Sequence, residues 1–85
     1  MKKDEMLSQL REIVRPYSKN PEALDAMSEN TGFITDLKIN SANLVDVVLD
    51  IEEAFDITID NESMEKMLDV RCAMDIIARK LDDRP

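Results

Sequence analysis

Asn40-Ser41-Ala42-Asn43-Leu44-Val45-Asp46-Val47-Val48-Leu49-Asp50-Ile51-Glu52-Glu53-Ala54-Phe55 decides the fold of this chain. Leu44, Val48, Ile51 and Phe55 recur at i, i+4, i+7 and i+11, the spacing of a helix with one buried side. Asn40 or Ser41 opens it, because both side chains cap helix amides well. On a wheel advancing about 100° per residue, Asn43, Asp46, Asp50 and Glu53 lie opposite that stripe. Between acids and core runs a second apolar seam, Ala42, Val45 and Leu49, with Glu52 on its far flank. This arrangement weakens the isolated helix. Asp46 and Asp50 repel at i, i+4, which costs about 0.2–0.5 kcal/mol. Glu52, Glu53 and Asp56 crowd the end where the macrodipole prefers cations.

Outward from this helix, the same period appears twice more. Met6, Leu7, Leu10, Ile13, Val14 and Tyr17 predict a first helix over about Asp4 to Arg15, ended by Pro16. Val70, Ala73, Met74, Ile77 and Leu81 predict a last helix, with Asp69 as its cap. Asn20-Pro21-Glu22 reads as cap, first-turn proline and first-turn acid, opening a short turn to about Met27. Residues 28–40, with the sole glycine Gly32, read as loop. Ile57-Thr58-Ile59 is an extended connector, and Asn61 to Leu68 a short third helix. The expected fold is all-α: a small antiparallel bundle of three main helices plus that short one, with a long first loop.

The 85 residues bound a single domain, taken as 1–85. Its 11 basic and 19 acidic side chains leave a net charge of −8, so no basic footprint exists for nucleic acid. The charge is local. Residues 36–69 hold ten acids and two bases, a target for basic partner surfaces. No apolar run approaches a membrane span, and Met1-Lys2-Lys3-Asp4-Glu5-Met6 lacks the apolar segment of a signal peptide. A lone Cys72 excludes an internal disulfide framework and fits a reducing, cytoplasmic setting. Zero His removes the commonest acid–base group, and no nucleophile, base or metal constellation can be assembled. The composition points to a monomeric, non-enzymatic domain handled by partners.

Two features carry candidate function. Ser41 is either a plain helix cap or an attachment point, since a hydroxyl at a helix start faces outward and free amides there favour a phosphate. The α-helical face of Ala42, Val45, Asp46, Leu49, Asp50, Glu52 and Glu53 is either a solvated acidic surface or a docking surface. In the second case carboxylates steer a basic partner and Val45 and Leu49 make the dry contact. A calcium loop at Asp56–Asn61 fails, with Asn61 at the required Gly and Met67 at the closing Glu. Cys72 falls opposite the inner stripe of its helix and has no His to activate it.

Thr31-Gly32-Phe33-Ile34-Thr35-Asp36-Leu37-Lys38-Ile39-Asn40-Ser41-Ala42 and Leu44 to Asp56 resemble the acyl carrier protein family, whose pattern is roughly D-L-G-x-D-S-L before an aliphatic helix ending E-E-x-F. Ile57-Thr58-Ile59-Asp60 and Asp69-Val70-Arg71-Cys72-Ala73-Met74-Asp75-Ile76-Ile77 resemble the elements that follow. The resemblance spans about residues 4–81 and is most specific over 33–56. It implies a 4′-phosphopantetheine arm on Ser41, loaded by a phosphopantetheinyl transferase, with acyl groups held as thioesters on the arm. It implies that Asp46, Glu52 and Glu53, with Ala42, Val45 and Leu49, dock acyl-transferring and chain-elongating enzymes bearing basic patches. A soft core that includes Leu44, Val48, Phe55, Met64, Met67 and Ile77 would open for the acyl chain. The chain departs from the pattern at Lys38 (usually Gly), Asn40 (usually Asp), Ala42 (often larger) and Asn43 (often acidic). These departures bear on which transferase loads it and suggest a specialised carrier. The alternative is an unmodified acidic helical adaptor that binds a basic protein through helix 41–55.

Overall fold

Met6, Leu10 and Val14 line the buried side of α1 (Lys3–Val14), which ends just before Pro16 as the missing proline donor requires. The computed structural model describes residues 2–82; Met1 and residues 83–85, the ends of the expected domain, lie outside it. Asn20 caps α2 (Pro21–Asp25), its side chain accepting from the Ala23 amide with proline at the first helical position. A 3-10 turn, Ser41–Asn43, leads into α3 (Leu44–Phe55). Then come α4 (Asn61–Glu65), capped by Asp60, and α5 (Val70–Asp82). The architecture is an all-α bundle of three long helices and two short ones, in which α1 packs on both α3 and α5. Among the described residues, no helix is long and apolar enough to cross a membrane.

The core follows the predicted stripes, except that Leu7, Ile13, Tyr17 and Leu81 are only half-buried, and with one addition. Val48, Ile51 and Phe55 are buried on α3, but Val47 is fully buried too, and Leu44 is only half-buried. The inner face of α3 is thus broader than a single-file stripe. On α5, Val70, Ala73, Met74 and Ile77 are buried, as their spacing predicts. Asp69 caps that helix, accepting from the Cys72 amide at 2.9 Å.

The long connection from 28 to 40 is where the structure says more than the sequence. Phe33, Leu37 and Ile39 are among the largest fully buried side chains in the protein. Their backbone is stitched down as well. Phe33 N donates to Leu68 O, Val70 N to Thr31 O, and Arg71 N to Glu29 O, so the segment lies against the entry to α5. On its other side, Lys19 N and the Ser18 hydroxyl both donate to Leu37 O. Gly32 and Asp69 form an isolated antiparallel bridge within this seam. Beside this seam, α4 stops at Glu65 rather than running to Leu68. After Glu65 the amides of Lys66, Met67 and Leu68 turn back to Ser63, Met64 and Lys66 in tighter turns, and the Leu68 carbonyl meets Phe33.

Because the connection is core, Leu37→Ala should cost about 2–4 kcal/mol in urea denaturation, while Ile34→Ala beside it, exposed, should change stability by under about 0.5 kcal/mol. Helix caps add an acid dependence. The Cys72 amide holds the Asp69 carboxyl below its ordinary value of 3.8, and the bond to Ser63 does the same for Asp60. Stability contributed this way is full above the ordinary value and fades as pH falls through the lowered one. Denaturation midpoints below about pH 4 should therefore fall more steeply in the unmodified chain than in Asp69→Ala.

Candidate functional site

Ser41 is the first residue of the 3-10 turn that opens α3, and it is exposed. Its hydroxyl makes no hydrogen bond among the described residues. Asn40 does the capping instead. Its Oδ1 accepts from the Ala42 amide at 3.0 Å and its carbonyl from the Asn43 amide at 2.8 Å. The Leu44 amide donates to the Ser41 carbonyl. The free amides expected around Ser41 are thus already engaged at 42, 43 and 44, because an asparagine cap and a tight turn satisfy them first. Ser41 keeps an uncommitted hydroxyl.

Behind Ser41, the approach strand is fixed. Ile39 N donates to Phe33 O, and Leu37 and Ile39 are both fully buried, so Lys38 between them is exposed. Lys38 adopts φ 59°, the left-handed region, at the position where the carrier pattern has glycine. For a residue with a Cβ this costs about 1 kcal/mol. Lys38 forms no ion pair among the described residues, where the bridges run between Lys3 and Glu29, Arg15 and Glu12, and Lys66 and Glu62.

Along α3 the outward seam is real: Val45 is 48% and Leu49 56% exposed. Ala42 is exposed too, but it sits in the 3-10 turn, so the 100° step that aligned it with Val45 does not hold there. The acids divide into two pairs. Asp46 and Glu53 are exposed and enter no hydrogen bond or ion pair among the described residues. Asp50 and Glu52 are half-buried and engaged internally. Asp50 Oδ2 accepts from the Tyr17 hydroxyl at 2.8 Å, which ties the segment after α1 to α3 and pushes the Tyr17 phenol above its usual value. Glu52 Oε2 accepts from the Ile59 amide at 2.8 Å, and the Glu52 carbonyl accepts from Ile57, so one residue anchors the whole connector to α4.

Sequence reasoning did not find the Tyr17–Asp50 or Glu52–Ile59 contacts, since helical spacing carries no information on what a side chain meets across the fold. It also passed over Ile34 and Leu68, 42% and 68% exposed, which flank a cleft of about 420 Å³ beside the Gly32–Asp69 bridge. Both lie outside helices, where periodicity is silent. Cys72 is half-buried, and its contact with the Asp69 carboxylate raises the thiol above its usual range. It stays a thiol. Among the described residues no three His, Cys, Asp or Glu side chains converge to hold a metal ion.

The division among the acids separates by mutation. Glu52→Ala should cost about 1–2 kcal/mol, as it leaves the Ile59 amide unpaired, while Glu53→Ala should shift stability by under about 0.5 kcal/mol. Thermal or urea denaturation of the two variants reads the difference.

No protein-family profile matches the chain. Individual proteins do. It is 32% identical over 82 residues to an acyl carrier protein of Petrotoga mobilis, covering 96% of this chain and 94% of that one. It is 32% identical over 73 residues to one from Desulforapulum autotrophicum, covering 86% and 94%. A match to the acyl carrier protein of Picosynechococcus sp. reaches 41% identity over 56 residues, 66% of this chain and 69% of that one. With near-complete coverage in both directions and the expected all-α bundle in place, this chain belongs to the acyl carrier protein family.

Proposed function

We propose that this protein carries acyl groups on a 4′-phosphopantetheine arm joined through a phosphodiester to the Ser41 oxygen, and presents them to biosynthetic enzymes across the outer face of α3. The observation that carries the reading is the exposed, uncommitted Ser41 hydroxyl at the start of the one helix with a second apolar seam. The site fits such a group. The hydroxyl has no internal hydrogen bond to give up, and Ile39 and Asn40 hold its backbone from one side and the 3-10 turn from the other. When attached, the arm supplies the thiol on which acyl groups ride as thioesters.

The chain's own part is to be a substrate and a docking surface. Ser41 must lose a proton as its oxygen bonds to phosphorus and the pyrophosphate of coenzyme A breaks, releasing adenosine 3′,5′-bisphosphate, and its neighbours Asn40, Ala42 and Asn43 offer no base. The protein has no His to serve instead. Deprotonation and charge stabilisation therefore fall to the transferase. Docking divides between two kinds of contact. Asp46 and Glu53, free of internal partners, steer basic surfaces, and the ten acids of residues 36–69 extend that field. Val45 and Leu49 supply the apolar contact that excludes water. Asp50 and Glu52, which also match the docking face by position, shape it from behind through Tyr17 and Ile59.

Intact mass spectrometry tests the reading. Incubated with coenzyme A and a broad-specificity phosphopantetheinyl transferase, the chain should gain one phosphopantetheinyl group, and Ser41→Ala should gain none while keeping its helical circular dichroism. If a control carrier is loaded in the same tube and this chain is not, Ser41 is a helix-start residue only, and the acidic adaptor binding through Val45, Asp46, Leu49 and Glu53 becomes the better account.

A further inference from the structure

We propose that Lys38 is the counter-charge of the Ser41 phosphodiester, a positioning residue that holds the root of the arm through an ion pair. This rests on the carrier reading above and adds to it a residue at which the chain departs from the family pattern.

A phosphodiester at Ser41 places a permanent negative charge at the opening of α3. Three sources of compensation could meet it there: backbone amides, polar neighbours or a cation. The amides that follow Ser41 are engaged, and a neutral amide does not cancel a full charge. Ala42 donates to Asn40 Oδ1, Asn43 to the Asn40 carbonyl, and Leu44 to the Ser41 carbonyl. Asn40 caps through its Oδ1 and carbonyl, so it and Asn43 can offer the phosphate only neutral Nδ2 donors, not a counter-charge. What remains is Lys38. It is the only basic residue between Lys19 and Lys66, it is exposed, and it forms no ion pair among the described residues.

Its position is set by the fold. Leu37 and Ile39, both fully buried, pin the chain on either side. The Leu37 carbonyl receives Lys19 and Ser18, and the Ile39 amide is bonded to Phe33, so the Lys38 backbone cannot drift from the site. Three residues span at most about 10 Å from Lys38 to Ser41, which the flexible lysine stem and the ester linkage together bridge. The local charge pattern agrees. Where the family pattern has a carboxylate beside the serine, this chain has Asn40, so nothing adjacent competes with the phosphate for the ammonium. Asp36, the nearest acid before Lys38, has one carboxylate oxygen engaged by the Gly32 amide at 2.7 Å.

The test compares the full-length chain before and after loading, each form verified by intact mass, and follows the ε-methylene signals of its lysines by NMR at fixed pH. In low salt, loading should displace the Lys38 ε-methylene signals, as a negative charge brought into contact with its ammonium does. Lys19 and Lys66 should stay where they were. The Lys38 shift should collapse near 1 M salt, where the screening length is about 3 Å. A fully loaded chain in which the Lys38 signals do not move overturns the ion pair and leaves the carrier reading intact. A Lys38 shift that persists undiminished in high salt also overturns it, since the cause is then not the phosphate's charge. Absence of any mass gain at Ser41 overturns both readings at once.

Discussion

Everything distinctive in this fold hangs on the backbone seam between residues 29–33 and 68–71. Its three hydrogen bonds, from Arg71 to Glu29, Val70 to Thr31 and Phe33 to Leu68, join a segment with no regular structure to the start of α5. A segment so held cannot be a slack tether. It becomes a wall of the core, which is why Phe33, Leu37 and Ile39 are buried as deeply as any helix residue. A chain of this length has few apolar residues to spare, and three large ones drawn from a connection relieve the shortage that small domains face. The seam also sets the site, because Ile39 fixes the approach to Ser41 from behind.

The consequence for α3 is a helix with work on every side. Val47, Val48, Ile51 and Phe55 face the core. Tyr17 and the Ile59 amide claim one acid each at its flanks. What is left outward is a narrow strip of two aliphatics and two unengaged carboxylates. The acids that disfavour the helix in isolation thus have two different justifications. Asp50 and Glu52 are compensated by internal donors, whereas Asp46 and Glu53 are compensated by nothing within the described residues.

The helices and the buried stripes of α1, α3 and α5 were legible in the sequence because 3.6-residue periodicity is a local signal, and the caps at Asn20 and Asp69, with that of α3 narrowed to Asn40 or Ser41, because capping needs only a few adjacent residues. The exposed seam of Val45 and Leu49 was legible for the same reason. Val47 escaped because it sits beside the i, i+4, i+7, i+11 stripe rather than in it. The burial of Phe33, Leu37 and Ile39 escaped because no repeat marks them, and what holds the segment lies across the fold, at Leu68 for Phe33 and at Ser18 and Lys19 for Leu37. The role of Asn40 in using up the amides beside Ser41 depends on the 3-10 geometry of residues 41–43, which the residue types there do not specify.

Lys38 and Asp56 both occupy the left-handed region, and the single glycine of the chain, Gly32, does not. This shifts part of the energetics into the unfolded ensemble. Glycine would relieve the local strain at either position, but it would also widen the conformational freedom of the denatured chain, a loss on folding of roughly 0.5–1 kcal/mol. With side chains at both turns, the denatured state is the stiffer for it. The native turns, once formed by the seam and by the end of α3, therefore cost less entropy to close than their strained dihedrals suggest.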